Sequence, residues 1–309
     1  MSSLVRFLGC AIPALVFVAV ASHDAKGQRR RVDDYRSRVD TSFSFDRNGS
    51  VTISANSGSI TVVGWSRDQV QVRTSSGLDN LRFEGSSSRM TLTARRGEGS
   101  IEISVPVGVS VNASTHSGRV SVHGTRGSVV AHATDGSVDV DDAASRVDLS
   151  TFSGELSASN IDGQARVETI SGGISLHDVR GSVDATTVSG DIDLIGVTSK
   201  SVRAKTTSGE VTFDGLVDPD GTYDLSTHSG DVRLRVQRDA SAQLSVSTWS
   251  GSIDSQFPIT LKPGEQRIGS LNAKRFTFEI GRGSARITAD TFSGDITISS
   301  NGRGAAVRR

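Results

Sequence analysis

Six acidic residues in the second half of the chain are the first candidates for acid and base chemistry. Each follows a recurrent glycine by one or three residues, on the side of a predicted strand that faces away from the core. Clustered carboxylates can cleave glycosidic bonds, and they can also bind Ca²⁺. The same positions of other repeats hold Arg119, Ser121 and Ser157, so a need for polar side chains on an exposed face explains them better. The six residues are Asp191, Asp193, Glu210, Asp231, Asp254 and Asp295.

The spacing of the histidines does not predict a metal site. His123 and His177 share a predicted column but lie three coils apart, about 14 Å at the usual spacing of ~4.8 Å between strands. One metal ion cannot span that distance. The nucleophile elbow, the Walker loop, the zinc motif H-E-x-x-H and the EF-hand loop are all missing from the sequence. We therefore expect no metal, no cofactor and no catalytic residue, and we predict that the protein is not an enzyme.

A third set of candidates lies between a recurrent Thr and a recurrent Ser. This position accepts both polar and apolar types, which indicates exposure. Stacked at the spacing of the coils, its apolar members could bind a glycan ring, a peptide strand or a partner protein. Alternatively, they tuck into a corner or satisfy β-propensity on an exposed sheet. The candidates for partner or glycan binding are Phe152, Ile170, Val188, His228, Trp249 and Phe292, in a column that also contains His116, Thr134 and Thr207.

The element that must position these side chains is a repeat built around a Ser-Gly pair. Two residues before the Ser stands Thr or Ala, and two residues after the Gly stands a branched aliphatic residue. Such a period is typical of a solenoid. The first four steps between glycines are 18 residues and the later ones 19 or 21; the glycines are Gly118, Gly136, Gly154, Gly172, Gly190, Gly209, Gly230 and Gly251, with outlying copies at Gly58 and Gly294.

Within one repeat, apolar residues alternate in two short runs separated by a second turn. In the repeat at 153–170, Leu156 and Ala158 form one run, and Ala165 and Val167 form the other. Alternation of this kind predicts two half-buried strands per coil. The fold predicted is therefore all-β, a single-stranded parallel β-solenoid with coils of 18–21 residues and irregular capping coils at both ends. The Thr column is predicted to be tight, with hydroxyls that hydrogen-bond beside the turn; an exposed array for ice or sugar is the alternative.

The N-terminal residues are typical of an export signal. Arg6 precedes the apolar stretch 7–21, which ends in small residues and is too short to span a bilayer comfortably. The single cysteine, Cys10, lies inside this stretch, so the exported chain would have no disulfide or thiolate site. The predicted organisation is a signal peptide (1–21), a flexible segment (22–42), a β-solenoid (43–300) with irregular N-terminal coils (43–106), regular repeats (107–254) and C-terminal capping coils (255–300), and a flexible tail (301–309).

The composition of the chain bears on which partners it could bind. Lys plus Arg and Asp plus Glu both number 34, and this zero net charge does not favour nucleic acid as a partner. No second apolar span follows the signal, so we expect no transmembrane segment in the mature chain. Strand edges at the two ends of a solenoid make self-association possible unless the terminal coils cover them.

Three segments resemble the bacterial DUF4097 family of adhesin-like proteins and the related head domain of autotransporter adhesins. They are G-S-I-T-V-V-G-W-S-R-D-Q-V-Q-V at 58–72, I-S-V-P-V-G-V-S-V at 103–111, and the T-x-S-G-x-[IV] repeats. The resemblance covers nearly the whole mature chain. It implies a right-handed type of β-solenoid on an exported or envelope-associated protein, and it carries over no catalytic residues.

Repeat pattern and resemblance together predict a non-catalytic, exported interaction or scaffold protein of the bacterial cell envelope. Its compartment would be the periplasm, the cell surface or the medium, and its partner a protein or a glycan. The alternative function is a carbohydrate-active or glycan-binding β-helix that uses some of the carboxylates named above.

Overall fold

A computed structural model describes residues 40–75, 79–96, 99–258, 260–261 and 274–301, and every element in these ranges is a β-strand. The described part of the chain holds no helix long and apolar enough to cross a bilayer. The predicted signal peptide and residues 22–39 lie outside the described residues, as does 302–309. The strands are β1 (Asp40–Ser44), β2 (Ser50–Ser57), β3 (Ile60–Trp65), β4 (Gln69–Thr74), β5 (Asp79–Gly85), β6 (Arg89–Arg96), β7 (Ile101–Pro106), β8 (Ser110–Ser117), β9 (Val120–Thr125), β10 (Val129–Asp135), β11 (Val138–Ala143), β12 (Val147–Ser153), β13 (Leu156–Asp162), β14 (Ala165–Ser171), β15 (Ile174–Arg180), β16 (Val183–Thr186), β17 (Ile192–Lys205), β18 (Val211–Ser229), β19 (Val232–Val236), β20 (Ala242–Ser250), β21 (Ile253–Ser255), β22 (Thr260–Leu261), β23 (Lys274–Ile280), β24 (Ala285–Ser293) and β25 (Ile296–Ser300).

The centre of the molecule is the predicted parallel solenoid with two strands per coil. Each strand pairs in parallel with the equivalent strand of the next coil, as β10 does with β12 and β11 with β13. Partners are 18 residues apart, for example Val129 and Val147. The 18-residue spacing of the glycines therefore equals the sequence separation of paired residues in the sheet. The all-β solenoid predicted from the sequence is confirmed.

The core consists of the aliphatic columns that face inward between the two strand ladders. Val138, Leu156 and Ile174 follow one another in one ladder, and Val147 and Ala165 do so in the other. All five are fully buried. Because successive side chains of a strand point to opposite faces, the residues between them are driven outward. This alternation places the candidate carboxylates on the outer face. It also places the Thr of each Thr-x-Ser segment inside and the residue after that Thr outside.

The first coil of the solenoid does not sit at the end of the stack. Strand β2 lies between β8 and β6, and β3 lies between β9 and β7, all in parallel. Strands β5 and β4 then cover the outer edges of β6 and β7 in antiparallel fashion, and β1 pairs antiparallel with β4. The irregular segment 43–106 thus contributes both a regular coil and an antiparallel cap.

The other end repeats this arrangement. Strand β24 lies between β18 and β20, and β25 lies between β19 and β21. Strand β23 covers β20 in antiparallel fashion and β22 covers β23. The coils are consequently out of chain order at both ends, which the repeat pattern alone does not show. The antiparallel strands cover the open edges of the terminal coils, so that another parallel coil cannot pair there. Covering an edge is a common protection against edge-to-edge association.

Candidate functional site

The recurrent Ser-Gly pairs form one corner that runs the length of the stack. At Gly172 the backbone φ is +143°, and a Cβ added there would lie 1.9 Å from the carbonyl oxygen of Gly154. The same contact recurs from each glycine to the next, so the coils approach too closely at this corner for any side chain. The stacking order is Gly58, Gly118, Gly136, Gly154, Gly172, Gly190, Gly209, Gly230, Gly294 and Gly251.

The Thr column lies inside this corner and fastens one coil to the next. The Thr227 Oγ1 donates a hydrogen bond to the carbonyl oxygen of Gly209 at 2.9 Å, and the Thr206 Oγ1 donates to that of Gly190 at 3.0 Å. Thr151, Thr187, Thr291 and Thr248 make the equivalent bond. All of these threonines are buried. Their hydroxyls are therefore used within the protein, and the column does not form an exposed Thr array.

The residue after each Thr must point outward, because the Thr before it points inward. Among the described residues, eight large hydrophobic side chains are exposed, and five of them belong to this one column. Phe152 is 56% exposed and Phe292 48% exposed, which rules out the alternative that they tuck into the corner. We define the corner stripe as the seven consecutive positions Phe152, Ile170, Val188, Thr207, His228, Phe292 and Trp249.

Three aromatic rings of the corner stripe form a continuous stack. The ring centroids of His228 and Phe292 are 4.9 Å apart with planes at 13°, and those of Phe292 and Trp249 are 5.9 Å apart with planes at 7°. The stack exists because β24 is inserted between β18 and β20; in chain order, Phe292 would be last. Both faces of the Phe292 ring are covered by its neighbours, so this ring presents its edge to the solvent.

The six candidate carboxylates lie along the wall beside the corner, and four of them make local structural contacts. The Asp191 carboxylate accepts the backbone N–H of Glu210 at 2.8 Å, and the Asp231 carboxylate accepts that of Asp295 at 2.9 Å. The Asp295 carboxylate accepts the N–H and the hydroxyl of Ser252, and these bonds lower the pKa of Asp295 below its ordinary value. The Glu210 carboxylate accepts from the Arg233 guanidinium.

Asp193 and Asp254, the two remaining carboxylates, lie in the next outward column, two residues further from the corner glycine. Nowhere in the described ranges do three or more His, Cys, Asp or Glu side chains come together in a way that could hold a metal ion. The wall therefore offers separate carboxylates in two columns, and three of them accept a backbone N–H of the next coil.

A second polar column contains His123 and His177, the two histidines that lie three coils apart. His123, Asp141, Ser159 and His177 occupy successive coils in that order. The Asp141 carboxylate accepts hydrogen bonds from Ser159 at 2.6 Å and from the side-chain amide of Asn160 at 2.9 Å, and these bonds lower its pKa. His177 contacts the Ser175 hydroxyl at 3.0 Å. Asp141 and Ser159 lie between the two histidines, so the histidines do not contact each other.

Besides the turn predicted between the two apolar runs, each of these coils has a further bend next to this column, which was not predicted from the sequence. Asp142, Asn160 and Asp178 have φ between 52° and 56°, in line with Gly124 and Gly196 at 68° and 72°. These five residues are spaced by 18, and Gly, Asn and Asp are the types that tolerate the left-handed region. Aligning the repeats by this position would have revealed the turn.

These features define a class of protein: a parallel β-solenoid with a Thr-x-Ser-Gly corner, capped at both ends by antiparallel strands. The family described as Toastrack DUF4097 matches residues 94–299. The chain therefore belongs to the DUF4097 family, as the three motifs indicated.

Several solved structures are similar to this chain, and none of the curated proteins matches it. A "putative adhesin" from Parabacteroides distasonis is 12% identical, with 86% of this chain and 98% of that chain covered and a TM-score of 0.39. One from Bacteroides fragilis is 12% identical, with 85% and 97% covered and a TM-score of 0.37. One from Parabacteroides merdae is 10% identical, with 86% and 97% covered and a TM-score of 0.30. Scores this low carry no conclusion about function.

Proposed function

We propose that the protein is a non-catalytic, exported, adhesin-like protein of the bacterial cell envelope that contacts its partner through the corner stripe. The observation that carries this proposal is the concentration of exposed apolar side chains in a single column. Scattered exposed hydrophobic residues are normal on a protein surface, whereas a contiguous line of them marks an interaction site.

The dimensions of the stripe suit a long, shallow contact. Seven coils at ~4.8 Å give a line of about 29 Å from the first member to the last. Five of the seven positions offer a small apolar contact, and the spacing of the coils fixes the distances between them. A partner that engages several positions at once gains affinity from their fixed spacing without any single strong contact.

The contacts of the carboxylates support a non-catalytic role. Asp191, Asp231 and Asp295 each hold a backbone N–H of the neighbouring coil. A catalytic pair would instead direct two carboxyl groups at one substrate bond from opposite sides. The carboxylates of this wall lie in columns along one surface.

The test measures adhesion of labelled protein to isolated envelopes of the bacterium that encodes it. The stripe variant carries Phe152→Ser and Trp249→Ser. The control variant carries Val107→Ser and Val130→Ser, which removes two side chains that are exposed elsewhere on the solenoid. We expect adhesion to fall at least tenfold for the stripe variant and to change little for the control, with equal circular dichroism for both. Equal adhesion of the two variants would remove the stripe from the proposal.

The carbohydrate-active alternative is tested by incubating the purified protein with pectic and other acidic glycans. The variant to compare is Asp191→Asn, because an Asn side chain still accepts the N–H of Glu210 but cannot serve as an acid or base. We expect no turnover from either protein. Steady turnover that this substitution abolishes would refute the non-catalytic proposal.

A further inference from the structure

We propose that the partner of the corner stripe is a cationic protein segment in which Lys or Arg side chains flank apolar ones. This inference rests on the proposed function and adds the chemistry of the partner. It comes from the charges that border the stripe on both sides.

Two columns form the rims of the corner stripe. One holds the residue after each corner glycine, and the other holds the residue two positions before each stripe residue. Over the seven coils, the rims contain seven carboxylates and one ammonium group, a formal charge of −6 in a chain whose formal net charge is zero. The acidic members are Glu155, Asp191, Glu210, Asp231, Asp295, Glu168 and Asp290, and the basic member is Lys205.

Ion pairs within the described residues neutralise only part of this charge. Arg166 pairs with Glu168, and Arg233 pairs with Glu210 and lies 3.8 Å from Asp231. Lys205, the basic rim residue, is bound to Asp224 outside the rims at 3.0 Å. Of the other four rim carboxylates, Glu155, Asp191 and Asp290 form no ion pair with another described residue, and Asp295 forms none but lies near Lys274, whose charge helps to lower its pKa.

The outward column next to one of the rims does not share this acidic excess. Two positions further from the stripe, the outward column alternates in sign along the stack as Asp148, Arg166, Asp184, Arg203 and Asp224. Such a column compensates its own charge. The rims combine an excess of negative charge, only partly neutralised by ion pairs, with an adjacent apolar surface.

Charge and ring geometry together select the partner. Negative rims repel acidic glycans, nucleic acid and anionic lipid, and they attract cations. A sugar that stacks on an aromatic residue needs a ring face, and Phe292, the middle ring of the stack, offers none because His228 and Trp249 cover both of its faces. Ring edges and aliphatic groups fit apolar side chains, and the carboxylates at the rims fit the Lys or Arg side chains beside them.

The test uses an amphipathic helical peptide of Leu and Lys, with Leu in one stripe and Lys on both sides. Two comparison peptides replace either every Lys by Glu or every Leu by Ser. Trp249 reports binding directly in a Trp65→Phe background, because the chain has only two tryptophans. We expect the Leu/Lys peptide to bind and to shift Trp249 fluorescence, with an affinity that falls as salt increases. The Glu peptide should not bind, and the Ser peptide should bind at least tenfold more weakly.

Matched variants locate the charge effect. Glu155→Gln with Asp191→Asn removes two rim carboxylates, whereas Asp148→Asn with Asp184→Asn removes two from the alternating column, so both proteins have the same net charge. We expect the rim variant to bind the peptide about fivefold more weakly and the control to change less than about twofold. Phe292→Ser should weaken binding about tenfold.

Each contrary result has a separate meaning. Equal losses for the two charge variants, or equal binding of the Ser and Leu peptides, would show general attraction of cations and would overturn the inference. Failure of the Leu/Lys peptide to bind would also overturn it. If the stripe variant still loses adhesion to envelopes, the proposed function stands with a partner of different chemistry.

Discussion

Two adjacent glycines provide the sharpest test of the corner geometry. Gly172 and Gly173 follow one another in the sequence, yet only the first belongs to the glycine column. A Cβ at Gly172 would lie 1.9 Å from the Gly154 carbonyl oxygen at a φ of +143°. A Cβ at Gly173 would meet nothing closer than the Asp191 carbonyl oxygen at 3.7 Å, and the equivalent coils place Glu155 and Asp191 at this position.

The cost of Gly172→Ala follows from two contributions. A non-glycine residue in this region of φ costs about 1–3 kcal/mol. Forcing a methyl group against the Gly154 backbone costs another ~1–3 kcal/mol, because the two coils must separate and the hydrogen bond from the Gly154 N–H to the Ser171 carbonyl oxygen must lengthen. We expect a loss of about 4 kcal/mol in the free energy of unfolding. Gly173→Ala should instead stabilise by about 0.5 kcal/mol, because it restricts the unfolded chain.

Urea denaturation followed by circular dichroism measures the difference between the two variants. Hydrogen exchange then locates it, because a solenoid transmits damage chiefly to neighbouring coils. We expect faster exchange in the coils on either side of Gly172 and unchanged exchange for Gly173→Ala. A difference of less than about 1 kcal/mol between the variants would refute the close approach of coils at this corner.

Three further predictions concern the Thr column, the buried Tyr and the order of the coils. Thr227→Val should lower the free energy of unfolding by about 1 kcal/mol, because it removes the hydrogen bond to Gly209. Thr169→Val should be neutral or stabilising, because the buried Thr169 hydroxyl has no partner among the described residues. Urea denaturation measures both. Burial raises the pKa of Tyr223 to about 12 from 10.0. The stability that this shift contributes is therefore complete below pH 10 and is lost as pH rises towards 12. Tyrosinate absorbance measures that pKa in a Tyr35→Phe variant, in which Tyr223 is the remaining tyrosine. Ending the chain at residue 284 should remove part of the amide protection of β20 as well, because β24 lies between β18 and β20 and only β23 then still pairs with β20; hydrogen exchange by mass spectrometry measures it.

Contrary results would be equally clear. Equal costs at the two threonines would show that the hydroxyl bond contributes nothing. A Tyr223 midpoint near pH 10 would place its hydroxyl in water, contrary to its 2.6 Å bond to the Ser199 carbonyl oxygen. Full protection of β20 in the shortened chain would contradict the inserted position of β24.

Local periodicity made most of the solenoid predictable. The inward columns, the glycine corner and the tight Thr column all follow from residues that alternate by two and recur by about 18. The structure buries Val138 and Leu156 as the pattern requires. The outward position of Phe152 was likewise readable, because it stands between an inward Thr and a turn. Its role in binding stays a prediction.

Features that depend on which coils are neighbours could not be read in this way. Nearly identical repeats pair equally well with many partners, so the sequence near Gly294 does not say that its coil enters between those of Gly230 and Gly251. The aromatic stack depends entirely on that insertion. The antiparallel caps also escaped prediction, because their alternation resembles that of the parallel strands.

The amino-acid sequence by itself determined the coil, its corner, its buried columns and the family, because these depend on side-chain types at short and regular separations. Tertiary structure alone decided the order of the coils, and with it the contact of His228, Phe292 and Trp249 and the run of carboxylates beside them. The physical reason is that strand pairing through the backbone is indifferent to sequence distance: any repeat with the matching register can add to an open ladder.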